Sequence, residues 1–150
     1  MSVDIIINQQ YETKFNPSIL QKAIQITLVA VEKPDVDITL KITNDEEMHQ
    51  LNWTYRNIDK ATDVLSFNQD YIDPETGRYY LGDIIISFDQ AQAQAEENQQ
   101  SLIEEFARLA IHGTLHLLGH DHAEPEEKKV MWDLQEYLVN QVFDSLLGGL

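Results

Sequence analysis

The run from His112 to His122 constrains this chain more than any other segment. It reads His112-Gly-Thr-Leu-His116-Leu-Leu-Gly-His120-Asp-His122 and gathers four of the five histidines into eleven residues. His112 and His116 are four apart, so on a helix they project from one face and can share a metal. Gly119 is the residue type that ends a helix, because it takes a left-handed backbone without a Cβ penalty. A chain that turns there brings His122 back toward the first pair. The run therefore predicts a metal site on a helix and the turn after it. Three neutral imidazoles suit zinc and leave a fourth position for water. Leu115, Leu117 and Leu118 lie between the histidines, which a solvated helix face would not tolerate.

The helix carrying this run is expected to be central. From about 101 to 118 its apolar residues, among them Leu102, Phe106, Leu109, Ile111, Leu115 and Leu118, cover more than one stripe. A helix apolar on most sides is a buried one. Burial would fix the ligand rotamers and keep a metal in dry surroundings. His120 has three readings: a group beside the ligands or the substrate, a fourth ligand, or a surface residue. Asp121 either orients a ligand imidazole or holds the turn.

The rest of the chain predicts an α+β domain over residues 1–150, with a small mixed sheet of about four strands and five or so helices. Residues 3–8 read as a strand. Asn16-Pro17 marks a cap and a first-turn proline before a helix with Leu20, Ile24, Leu28 and Val31 on one face. Residues 36–42 alternate as a half-buried strand. Asn44 and Glu47 resemble a capping box, with Met48, Leu51 and Tyr55 continuing that helix. Residues 63–67 and 80–87 are strand-like, separated by the turn chemistry of Asp73 to Gly77. Helices follow at about 88–98 and 101–118. Pro125 opens a last one, with Met131, Leu134 and Leu138 on its packing face.

Composition narrows the chemistry. Ten Lys and Arg against 26 Asp and Glu leave a net charge of −16. That acidity argues against binding DNA, or any nucleic acid, through a broad basic surface, though a local site remains open. Cysteine is absent, so there is no disulfide framework and no thiolate ligand, as suits a cytoplasmic protein. Zinc leads among the metals, while nickel, copper or iron could occupy such a site in vitro. No apolar run is long enough to span a bilayer. The start, Met-Ser-Val-Asp-Ile, is not expected to act as a signal peptide.

An open zinc acidifies its water and polarises a carbonyl or phosphoryl oxygen, so hydrolysis is the first expectation. The His-x3-His-x5-His spacing also matches the metzincin proteases. Their general-base glutamate is replaced here by Gly113, and glycine cannot take a proton. A metallopeptidase or other zinc hydrolase stays open as a rival, as does a non-catalytic protein with a structural zinc in a closed four-ligand shell.

The histidine run resembles the signature of the YbeY family of bacterial metallo-endoribonucleases, also called rRNA maturation factors. The likeness continues through Leu51-Asn-Trp-Thr-Tyr-Arg56, Asp59-Lys60, Thr62-Asp-Val-Leu-Ser-Phe67 and Leu81-Gly82-Asp83-Ile84. Asn68 departs from the family's usual proline, at a position read as loop. The resemblance implies one zinc per chain on His112, His116 and His122, with Arg56 and His116 as catalytic residues. Arg56 alone would read as a surface ion pair; the resemblance makes it a phosphate-binding group, which a guanidinium suits. Asp83 is either a residue near the site or turn chemistry, and Arg108 is expected to pair with Glu104 or Glu105. The implied activity is cleavage of single-stranded RNA in 16S rRNA 3′-end maturation and ribosome quality control. The attacking group is either water or the RNA's own 2′-OH. Implied partners are precursor rRNA, the ribosome or its protein S11, and the GTPase Era, in the cytoplasm.

Overall fold

The computed structural model describes residues 2–120 and 123–148. Four strands and five α-helices follow in the order β1 (Ser2–Ile7), α1 (Ser18–Ala30), β2 (Val36–Thr43), α2 (Asp45–Arg56), β3 (Val64–Ile72), β4 (Tyr79–Ser87), α3 (Phe88–Glu97), α4 (Leu102–Leu117) and α5 (Pro125–Gly148), with a short 3-10 turn at Gln9–Tyr11. The sheet order is β1-β2-β4-β3. β1, β2 and β4 are parallel, and β3 runs antiparallel to β4 as a hairpin. The expected α+β class with a mixed four-stranded sheet is what forms. Among the described residues no helix is long and apolar enough to cross a membrane.

Local chemistry accounts for the boundaries. Asn16 Oδ1 accepts from the Ser18 amide, so Pro17 stands just before α1 rather than inside it. Asn44 caps α2 by accepting from the Glu47 amide at 2.9 Å. The expected reciprocal half of the capping box is missing: the Glu47 carboxylate turns instead to Lys41 Nζ and Thr43 Oγ1, each at 2.6 Å. Ser101 caps α4 through the Glu104 amide. At the other end of α4, Gly119 takes φ 97°. Its amide donates to the His116 carbonyl, and the His120 amide donates to the Leu115 carbonyl. This is a Schellman motif, which closes the helix as Gly119 predicted.

β2 buries Val36, Ile38, Leu40 and Ile42 and leaves Asp37, Thr39 and Lys41 partly exposed. Arg78, after the hairpin turn, grips Asp37 with two nitrogens at 2.8 and 2.9 Å and holds its carboxyl below the usual carboxylate range. β3 runs five residues beyond the expected end at Phe67. Its second half, Asn68 to Ile72, is exposed. A strand open to solvent on both faces leaves no alternation in the sequence to read.

α4 is the central helix. It packs against α1, α3, α5, β3 and β4, and Phe106, Ala110, Ile111 and Leu115 on it are fully buried. Two glycines set how near it comes to the sheet. A Cβ on Gly113 would stand 2.7 Å from Ile84 Cγ2 and 3.1 Å from Ser66 Oγ. A Cβ on Gly82 would collide with the Phe67 carbonyl oxygen and come within 2.9 Å of Leu117 Cδ2. β3 then reaches up to the helix backbone. Ser66 Oγ donates to the Gly113 carbonyl at 3.1 Å and Asn68 Nδ2 to the Leu117 carbonyl at 2.8 Å. Asn68, expected in a loop, is thus a strand residue that ties β3 to the end of α4.

Gly113→Ala should destabilise the fold by about 1–3 kcal/mol, because even a methyl overpacks this approach. Chemical denaturation of both proteins measures it; an unchanged midpoint and slope would show that α4 does not sit this close.

Candidate metal centre and cleft

α4 presents His112 and His116 one turn apart on the side that meets β3. Their Nε2 atoms stand 3.1 Å apart, with the rings edge to face. Two imidazole nitrogens that close repel unless a proton or a cation lies between them. With metal–nitrogen bonds of about 2.0–2.1 Å, neighbouring ligand atoms of a tetrahedral zinc are about 3.3 Å apart. The pair therefore fits one edge of such a site. His112 Nδ1 is 2.7 Å from Gln135 Oε1 on α5. An amide oxygen only accepts, so Nδ1 carries the proton and Nε2 keeps its lone pair for a metal.

His122, the third predicted ligand, and Asp121 lie outside the described residues. Among the described residues no group of three ligating side chains converges. His120 is not brought into the cleft of His112 and His116. It lines a separate pocket with Gly119, Glu126, Glu127 and Val130.

The two histidines line a cleft of about 770 Å³ whose other walls are β3, the segment before it, and the last turn of α2. Arg56 and Tyr55 come from that turn. α2 stops there because Asn57 takes a left-handed backbone at φ 57°. Asn52, buried at 1% exposure, then holds the following loop by donating from Nδ2 to the Lys60 carbonyl at 2.9 Å. Its Oδ1 is the one buried side-chain polar atom without a partner among the described residues.

The three arginines divide sharply. Arg78 is clamped to Asp37 and Arg108 to Glu136. Arg56 is exposed and, among the described residues, makes no ion pair. A guanidinium with no ion pair among the described residues, in the same cleft as two metal-competent imidazoles, is suited to an anionic ligand.

The family model for Endoribonuclease YbeY matches residues 5–143. The chain belongs to the YbeY family. Endoribonuclease YbeY of Sulfurihydrogenibium sp. (strain YO3AOP1) is 42% identical over 147 residues, covering 95% of this chain and 91% of that protein. Endoribonuclease YbeY of Aquifex aeolicus (strain VF5) is 42% identical over 129 residues, covering 85% and 84%. The solution structure of TM1509 from Thermotoga maritima matches with a TM-score of 0.66 at 26% identity, covering 98% of this chain and 93% of that one.

For this YbeY-family chain one expectation needs correcting and another is met and extended. Asp83 is neither in a turn nor in the cleft. It lies within β4, where its neighbours Gly82 and Ile84 are the residues that face α4. Its carboxylate accepts from the Tyr80 hydroxyl and from Gln69. Burial and the Asp83 carboxylate push the Tyr80 phenol up to about 12. Arg108 does meet Glu104 and Glu105, at 3.8 and 3.5 Å, but its main partner is Glu136 on α5, at 2.9 and 3.0 Å.

Gln135 is the residue that sequence reasoning passed over. Its signal was present: it falls on the buried face of α5 with Met131, Leu138 and Val142, and is only 3% exposed. A polar residue on an apolar stripe needs a partner.

Burial holds the Glu105 carboxyl above its usual range, with Arg108 opposing the shift. A carboxyl whose folded pKa is raised costs no stability below its unfolded value and opposes folding above its folded value. Arg108→Met removes the opposing cation. It should destabilise the fold by up to about 3 kcal/mol near neutral pH, and the deficit should shrink as pH falls toward 4.5. Thermal unfolding of both proteins across pH 4–8 checks the trend; a deficit independent of pH would contradict it.

Proposed function

We propose that this chain, acting as one domain over residues 1–150, is a zinc-dependent endoribonuclease that cleaves single-stranded RNA in rRNA processing. As a member of the YbeY family it is an endoribonuclease, and so a hydrolase. The observation that carries the rest is the shared cleft: Arg56, without an ion-pair partner among the described residues, and the His112–His116 pair line one cavity.

His112 and His116, with His122 as the third ligand, are the residues assigned to zinc. Bound zinc supplies a Lewis acid and a water acidified to a pKa of about 7. Arg56 holds the scissile phosphate by paired N–H bonds and stabilises charge that builds on its oxygens. Tyr55, 66% exposed beside Arg56 and edge-on to Phe67 at 5.2 Å, offers a ring face to an unstacked base. A base can reach that ring only when it is unpaired, which favours single strands. The nucleophile is water or the substrate's own 2′-OH.

Acidity shapes the partner reading. A chain of −16 holds free RNA weakly. We therefore place recognition on the ribosome, with protein S11 and the GTPase Era as partners, at the 16S rRNA 3′ end and in ribosome quality control in the cytoplasm. The peptidase reading is disfavoured further by packing. Not even a Cβ fits at Gly113 without displacing Ile84, so a glutamate base there has no room. A closed structural zinc is disfavoured by the separate pocket of His120.

RNA cleavage by the wild type, Arg56→Ala and His116→Ala tests this reading. Arg56→Ala should lower kcat by about 100-fold or more with the fold intact, and His116→Ala should abolish both zinc retention and cleavage. Full activity in both variants would sink the proposal, as would cleavage of peptides in place of RNA in a parallel library assay.

A further inference from the structure

The histidine pair is backed by a chain of hydrogen bonds that crosses from α4 to α5 and returns. His112 Nδ1 meets Gln135 Oε1 at 2.7 Å. Gln135 Nε2 donates to Glu136 Oε2 at 3.3 Å. Glu136 is held by Arg108, whose Nε and Nη2 donate to its two carboxylate oxygens at 2.9 and 3.0 Å. Arg108 is on α4, one turn before His112.

Each link fixes the next. Arg108 orients the Glu136 carboxylate. That carboxylate accepts only, so it draws the amide nitrogen of Gln135 toward itself and leaves the amide oxygen for His112. The oxygen demands a proton on Nδ1. Imidazole in water favours the proton on Nε2, the wrong nitrogen for a ligand that must present Nε2. We propose that Gln135 is a positioning residue that selects the metal-competent tautomer of His112, and that the Arg108–Glu136 pair selects the amide orientation of Gln135. This rests on the reading of His112 as a zinc ligand. It adds a role for α5, which contributes no predicted ligand of its own.

The alternative is that Gln135 only packs. Its 3% exposure is compatible with that, so the test needs a readout that packing does not move. In the purified chain of residues 1–150, nitrogen-15 NMR of labelled histidine reports which His112 nitrogen is protonated. Competition against a chromogenic chelator at fixed pH reports zinc affinity. Gln135→Met keeps the side-chain length but offers no comparable acceptor. It should shift the metal-free protein toward the Nε2–H form of His112 and weaken zinc binding by about 10–100-fold, with the unfolding midpoint preserved. Gln135→Glu restores an acceptor and should return both readouts toward wild type. Should Gln135→Met misfold, Gln135→Ser, polar but too short to reach Nδ1, takes its place.

A folded variant lacking the acceptor that keeps the wild-type tautomer and zinc affinity overturns the inference. A wild-type chain that binds no zinc overturns the metal reading instead, and the tautomer signal still decides the role of Gln135.

Discussion

A helix with no Cβ at the point of contact can lie nearer to a sheet than side-chain packing ordinarily allows, and α4 does so where Gly113 meets Ile84 and Ser66. That approach sets the depth of the cleft. It brings the Gly113 and Leu117 carbonyls within reach of Ser66 and Asn68, whose side chains tie β3 to the end of α4. His112 and His116 flank the glycine and inherit its position. Gly113 is therefore explained first by packing; the absence of a carboxylate base follows from it.

The second determinant is the disposal of charge. The fold contains many more carboxylates than cations, and two of its three arginines are consumed in joining elements, β2 to the start of β4 and α4 to α5. Arg56 escapes because α2 ends at Asn57 and delivers it to the cleft with no acidic neighbour bonded to it among the described residues. In an acidic molecule, local recognition of an anion depends on where an unneutralised cation stands, and net charge says little about it.

Much of this was legible because it was written locally. α4 announced itself through its apolar breadth and its glycine stop, and the structure reproduces both. The shared face of His112 and His116 followed from helical spacing alone. What was missed was non-local. The helical-spacing rule gave Arg108 its own-helix glutamates, and both pair with it, but its main partner lies 28 residues away. Asp83 looked like a turn residue beside a glycine, but the glycine is there to clear the Phe67 carbonyl and Leu117. The outer half of β3 carried no alternation, and Gln135 gained meaning only once α5 was docked beside His112.

The bond between Gln135 and His112 also joins two equilibria. α5 follows the histidine run in the chain, yet its Gln135 meets His112 on α4. Whatever favours the ordered imidazole must favour the docked helix by the same free energy, and the reverse holds equally. The last helix is then more than a cover for the core. Its hold on the body of the protein is thermodynamically tied to the state of a side chain on another helix, so the last helix can report on the occupancy of a cleft that, among the described residues, it does not line.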